Sequence, residues 1–420
     1  MGIRFFTSGE SHGKALTGIL EGVPSGLLIS ADDIDKDLRR RQGGYGRGGR
    51  MKIETDRAEI LSGVRWGKTI GSPIAILIEN KDWQNWQDIM RAESGEQRAE
   101  SRAVTRPRPG HADLAGALKY DTHDIRNILE RSSARETAMR VALGAIAKKF
   151  LSDFNVMIGS YVVQIGSQKS MKKKGDCPRF TDAVVEAGLS PEKLLSLFKK
   201  AEESSVRCPD KETSNKMIKL IDRTIKEGNS LGGIFEVFVT GLPIGLGSHI
   251  QWDQKLDGRL AQALMSIQAI KGVEIGMGFE TGRRFGSEVM DEIFYAPSPS
   301  PSPLEGEGRV GGPPGFYRKT NNVGGIEGGM TNGMPVILRA VMKPIPTLRK
   351  PLSSVDIITK KPFKAAYERS DVCAVPAAGV VGEAMAALVI AGAFLEKFGG
   401  DSMTEVKRNY NSYLKYLSKF

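Results

Sequence analysis

Strand-like and helix-like segments alternate along this chain without a regular period, and that irregularity restricts the fold more than any other feature. Residues 73–78 form a short apolar run. Residues 156–165, 233–239 and 335–342 are rich in β-branched and aromatic side chains, as strands are. Helix signals lie between them. Ser30, with Asp33 three residues on, opens a polar helix ending in Arg39, Arg40 and Arg41. Ser133 and Glu136 read as a capping box ahead of a helix over 137–154. Ser190-Pro191 starts a helix over 194–201, and 256–270, 380–398 and 403–417 are further helices. No βαβ period and no internal repeat emerge. The pattern predicts an α+β fold rather than a doubly wound sheet.

With 420 residues the chain is long enough for a substantial core. Residues 377–395 are strongly apolar but carry Glu383 and several glycines, which predicts a buried helix and not a membrane span. Residues 169–176 and 204–215 read as polar surface. Residues 297–315 (PSPSPSPLEGEGRVGGPPG) hold six prolines, five glycines and three serines, too poor in apolar side chains to bury a core. They are expected to form a flexible insertion. Only three cysteines occur, Cys177, Cys208 and Cys373, with no CxxC pair, so neither a disulfide scaffold nor a metal site is expected. That usage, with no signal-peptide pattern at the N-terminus, fits a cytoplasmic protein. The net charge of +11 attracts anions, from nucleic acid to phosphorylated metabolites, without choosing among them.

Chemistry concentrates in a few loops. The chain has four histidines, and two of them sit in turns framed by glycine or proline: His12 in GESHG (9–13) and His111 in RPRPGHAD (106–113). Histidine exchanges protons near neutral pH. Arginines flank the second turn, which points to acid–base work beside an anion; the alternative is that both histidines only fill turns. Gly44 to Gly49 contains a literal GxGxxG, but arginines precede it and no helix pattern follows, so it is not a dinucleotide turn. Gly63 to Thr69 has three intervening residues where a P-loop needs four. RRRQGGYGRGGR (39–50) carries five arginines. It reads as an RNA-binding segment, a solvated loop, or a flexible arginine loop closing on a phosphorylated ligand, and the last is favoured. ERSSARE (130–136) places Ser132 and Ser133 at an expected helix N-terminus, which favours an anion. KPIPT (343–347) offers a cation and a hydroxyl on a rigid strand exit. ERSD (368–371) adds Arg369 and Asp371 just before the apolar helix.

Together, GESHG, RRRQGGYGRGGRM (39–51), RPRPGHAD, ERSSARETAMRVA (130–142), GGIEGGMTNGMP (324–335), KPIPT and ERSD resemble the chorismate synthase family. They occur in family order over most of the chain; the departure is 297–315, where the family has a short link. The resemblance implies a single catalytic domain folded as a sandwich of antiparallel β-sheets around central helices, assembled as a homotetramer. It implies a lyase of the shikimate pathway that converts 5-enolpyruvylshikimate 3-phosphate to chorismate and phosphate. This trans-1,4-elimination needs reduced FMN without net redox change. No nucleic-acid or membrane partner is expected. By the same resemblance FMN would lie across Arg131, Ser132, Ser133, Gln268, Ala269, Gly328, Lys343, Pro344, Ile345, Pro346, Thr347 and Arg369. Gln268 stands where the family often has Asn. Arg41 and Arg47 match positions for a nicotinamide nucleotide or a phosphate ligand, which leaves open whether NADPH reduces the flavin on this enzyme. His111 would keep the reduced flavin anionic and His12 would protonate the departing phosphate, or the reverse. Asp371 would help the flavin accept the hydrogen lost from the substrate ring, with Ser11 and Ser133 supporting the relay. The competing class, a basic RNA-binding protein, predicts salt-sensitive RNA affinity and leaves GESHG and RPRPGHAD unexplained.

Overall fold

The computed structural model describes residues 2–48, 54–92, 103–169, 191–295, 316–366 and 371–420. Two antiparallel sheets enclose a layer of helices. The first sheet contains β1 (Arg4–Ser8), β2 (Ala15–Glu21), β3 (Glu59–Ile60) and β4 (Ile74–Glu79), in the order β1-β2-β4-β3. The second contains β5 (Met157–Ile165), β6 (Gln168–Lys169), β7 (Gly233–Thr240), β8 (Ile270–Ile275) and β9 (Val336–Met342), in the order β8-β9-β7-β5-β6. Every pairing within these two sheets is antiparallel. The sandwich around central helices expected from the family motifs is the observed architecture.

Between the sheets run α1 (Ala31–Gln42), α3 (Thr137–Ser152) and α7 (Val375–Phe398); α2 (Arg126–Ser132) leads into α3. Small side chains let these layers close. Gly144 of α3 lies against Ala384 of α7, where an added Cβ would come within 2.4 Å of the alanine Cβ. Leu16, Leu20, Ile74, Ile76 and Ile78 cover the helices from the first sheet, and Val162, Phe235, Val237 and Leu338 from the second; all are fully buried. Helices α4 (Pro191–Glu202) and α5 (Lys211–Glu227) follow the second sheet's β6 in sequence, α6 (Leu256–Met265) packs on α7 with Leu264 beside Gly382, and α8 (Met403–Leu417) ends the chain.

Several expectations change. The capping box at Ser133 and Glu136 does not form. Ser133 caps a 3₁₀ turn by accepting from Arg135 N, while Glu136 bonds Arg140 and Thr7, so α3 starts at Thr137 without a side-chain cap. Ser132 is the last residue of α2, not part of a helix N-terminus. Helix α6 stops at Met265, and Ile270 begins β8 instead. Helix α7 begins at Val375, earlier than its periodicity suggests, because Pro376 is accommodated in the first turn. Residues 204–215 are not merely surface: Val206, Arg207 and Cys208 are buried, and α5 opens at Lys211. The apolar segment in α7 is core, with 94% of its most apolar window buried. The insertion at 297–315 lies outside the described residues. Its flanks meet: Tyr295 pairs with Phe316 across a two-stranded ribbon.

Candidate active site

A cleft of about 930 Å³ opens where the β1–β2 loop, the 107–112 turn, the end of α1, the α2–α3 junction and the start of α7 converge. It lies at the upper end of the ~300–1,000 Å³ typical of small-molecule sites, which suits two ligands side by side. The β1–β2 loop turns through Gly9 at φ +101, where a Cβ would press within 2.4 Å of the Ala15 carbonyl. Only glycine fits such a turn without strain. Asn80 clamps the loop, donating to the carbonyls of Glu10 (3.1 Å) and Gly13 (2.7 Å). This presents Ser11 and His12 to the cleft. Ser133 Oγ donates to Ser11 Oγ at 3.2 Å.

Each histidine rests on a buried carboxylate. His12 Nδ1 lies 2.8 Å from Glu130 Oε1 and 3.1 Å from Oε2, and its ring stacks on Trp86 at 3.9 Å. His111 Nδ1 lies 2.6 Å from Asp113 Oδ1, which also binds Arg108 Nη2 (3.1 Å), while Asp113 Oδ2 takes Arg108 Nε (2.8 Å). Burial raises the pKa of both acids, but hydrogen bonds from the histidines and nearby arginines outweigh it and hold both carboxyls below their usual range.

Arg41, Arg47, Arg108 and Arg135 also line the cleft. Arg135 pairs with Asp56 (2.6 Å) and donates from Nε to Asn80 Oδ1 (2.9 Å). Arg41 donates to Thr137 Oγ1 (3.0 Å) and the Ala134 carbonyl (2.9 Å), and its Nη1 forms a longer ion pair with Asp56 Oδ2 at 3.5 Å. Burial lowers the Arg41 guanidinium to about 9; Arg47 and Arg135 push the same way, against Asp56. Asp371 accepts from Gly48 N (2.6 Å) and pairs with Arg47 Nε (3.3 Å). Four guanidiniums thus converge on one cleft, and such a concentration of fixed cations favours an anionic ligand.

The cleft gathers Ser11, His12, Arg41, Arg47, His111, Ser132, Ser133, Gln268, Ala269, Lys343, Ile345, Pro346, Thr347 and Asp371. It does not gather three of the expected residues. Arg131 turns away to the carbonyls of Thr7 (2.6 Å) and Gly9 (3.1 Å). Pro344 is not part of the lining, and Gly328 sits in a hairpin turn beside His249. Arg369 lies outside the described residues. Sequence reasoning missed Glu130, Asp113, Arg108 and Trp86. The signal for Asp113 and Arg108 was available, since both stand inside the same turn motif as His111. Glu130 and Trp86 reach His12 from distant segments, which no local spacing reveals.

A sheet–helix–sheet sandwich whose cleft joins two carboxylate-backed histidines to a set of arginines has the make-up of an enzyme site for anionic ligands. The comparisons specify it. The family model for chorismate synthase matches residues 3–395. The chain is 57% identical over 418 residues to the chorismate synthase of Aquifex aeolicus, covering 100% of this chain and 99% of that protein. It is 56% identical to that of Geobacter metallireducens, with full coverage of both. A crystal structure of a chorismate synthase superposes with a TM-score of 0.75 at 46% identity, covering 100% of this chain and 99% of the other. The chain belongs to the chorismate synthase family. It is a carbon–oxygen lyase of the shikimate pathway, forming chorismate by trans-1,4-elimination of phosphate from 5-enolpyruvylshikimate 3-phosphate with reduced flavin and no net redox change.

Proposed function

We propose that the cleft holds substrate and reduced FMN together, with His12 and His111 as its two acid–base groups. The observation that carries this reading is that both histidines face one cleft, each with Nδ1 on a buried carboxylate. The residues fit a flavin. Ile267, Met342, Ala377, Ala378 and Val381 supply an apolar wall for a planar ring, and the buried Gln268 Oε1 accepts no hydrogen bond, so it can take one from a ring N–H. Ala269, Lys343, Ile345, Pro346 and Thr347 border the same space. Reduced FMN supplies the transient electron density that weakens the bond to the leaving phosphate.

The protein does the rest. Arg41, Arg47 and Arg135 hold the phosphate and carboxylates of the substrate through charge-assisted hydrogen bonds. The departing phosphate gains charge as its bond breaks, and a proton from His12 lowers that barrier. His111, beside Arg108, keeps the flavin in its anionic reduced form. Asp371 would help the flavin accept the hydrogen lost from the substrate ring, with Ser11 and Ser133, joined at 3.2 Å, supporting the relay. NADPH as the flavin reductant, a homotetramer and a cytoplasmic location belong to the same proposal. Supporting the assembly, Phe6 (64% exposed) and Ile19 (45%) stand opposite each other on the outer face of the first sheet.

Anaerobic assay with photoreduced FMN tests the reading. Chorismate is expected over many turnovers with the flavin spectrum unchanged; stoichiometric flavin oxidation would contradict it. His12→Ala and His111→Ala should each lower turnover roughly 10²–10⁴-fold while substrate affinity changes far less. Near-normal turnover in either variant removes that histidine from the mechanism.

A further inference from the structure

The functional reading leaves Glu130 without a task. It is 2% exposed and does not line the cleft, yet it grips the loop that carries His12 at three points. Its carbonyl accepts from Ser11 N at 3.0 Å, its Oε2 accepts from His12 N at 2.7 Å, and its Oε1 lies 2.8 Å from His12 Nδ1. Two donors of one residue therefore face the two oxygens of one carboxylate. Carboxylate oxygens only accept, so Nδ1 carries a hydrogen and Nε2 is the nitrogen that exchanges a proton. The ring is fixed on its face as well, by the stack on Trp86 at 3.9 Å. The charged groups about the ring are Glu130 itself, Arg126, whose Nη1 lies 3.3 Å from Glu130 Oε1 and whose guanidinium lies 5.1 Å from the Trp86 ring, and Asp82, which accepts from Trp86 Nε1 at 3.1 Å.

We propose that Glu130 is the positioning residue of His12: it locks the imidazole with Nδ1–H on the carboxylate and Nε2 toward the cleft, and it stabilises the imidazolium that protonates the departing phosphate. The second half rests on the role given to His12 above; the first half does not. His111 is a useful contrast, because Asp113 already carries two bonds from Arg108, and Arg108 Nη2 lies 3.1 Å from His111 Nδ1. Its carboxylate charge is shared before the imidazole draws on it. Glu130 meets a single guanidinium nitrogen at the longer 3.3 Å.

Glu130→Gln tests the idea because an amide has one oxygen for two donors. Nitrogen-15 NMR of imidazole-labelled protein should show Nδ1 protonated in the wild type and His12 titrating at lower pH in Glu130→Gln, with His111 unchanged. Turnover should fall about 10–10²-fold, less than on loss of the acid–base group itself, with KM within about twofold. Glu130→Asp should recover part of the loss, and Glu130→Gln should add nothing to His12→Ala. A wild-type spectrum with the proton on Nε2 alone overturns the proposal even if no variant folds. So does an unchanged His12 titration in Glu130→Gln, or a full additional loss on top of His12→Ala. If His12→Ala is active while the Nδ1 proton and the shifted titration are seen, the catalytic role of His12 fails and the locking by Glu130 stands.

Discussion

Arg40 and Arg41 are neighbours in the last turn of α1, yet they enter opposite kinds of charged site. Arg40 points at Glu383, a fully buried acid on α7, and donates to Glu383, Glu202 and Asp37 at 2.7–2.9 Å through all three nitrogens. Lys148 (2.8 Å), Ser160 (2.7 Å) and Arg207 (3.3 Å) complete the cluster around Glu383. Burial opposes both charges of this pair, but the partners win: Glu383 is held well below the usual carboxylate range and Arg40 is raised. Arg41, one residue later, lines the cleft with two further guanidiniums close by, and its acid, Asp56, stands at 3.5 Å and is shared with Arg135. A buried charge cluster that satisfies itself is structure. One whose guanidiniums share their acids at longer range beside an open cleft is a place for a ligand.

The contrast can be broken most forcefully at Glu383. Glu383→Ala leaves Arg40, Lys148 and Arg207 uncompensated and should destabilise the fold by about 3–5 kcal/mol, read by urea unfolding. Its acid sensitivity has a definite sign. The folded carboxyl binds its proton only well below the ordinary value of 4.5, so the unfolded chain takes up more protons as pH falls beneath that value. The stability is complete above the ordinary value and drains away on acidification, and Glu383→Gln should flatten that slope. A loss under about 1 kcal/mol in the alanine variant would mean the cluster is decorative.

Arg41→Ala should do the reverse. Stability should move by less than about 1 kcal/mol, because the ion pair lost with Asp56 is long at 3.5 Å and Asp56 keeps Arg135 at 2.6 Å. kcat/KM should fall by about 1.5–3 kcal/mol, the worth of a hydrogen bond to a charged group, or roughly 10–10²-fold. A large stability loss with normal kinetics would place Arg41 with Arg40. The smallest effect is expected far from both clusters. Tyr295 and Phe316 are already paired, so removing 298–314 replaces a long connection by a short one across adjacent ends. Loop closure varies by only ~0.6 kcal/mol per doubling of length, so stability should stay within about 1–2 kcal/mol and activity within about twofold. Lost activity in a folded deletion variant would give the segment a function.

Local sequence made much of this legible. Ser30 and Asp33 form the capping box read for α1, and Met403–Leu417 matches its predicted helix. His12 and His111 were found because glycine and proline turns mark where a chain exposes a side chain deliberately. The capping box at Ser133 misled because Glu136 has better partners in space: Arg140 at 2.9 Å and Thr7 at 2.8 Å outbid the backbone it was expected to cap.

The sequence by itself determined the alternation of strand and helix, the apolar core helix, the turns that carry both histidines and the family those turns belong to. The elements and turns follow from short-range chemistry, through periodicity, capping and the freedom of glycine, whereas the family is read from the resemblance of the motifs themselves. The tertiary structure alone decided which charges meet. Glu130 reaches His12 across 118 positions and Glu383 reaches Arg40 across 343, while Arg131, inside a motif, turns away from the cleft. Ionic strength of purpose is not written in spacing; a carboxylate becomes a positioning group, a structural counter-ion or a ligand site according to what the folded chain leaves beside it and how little water remains there.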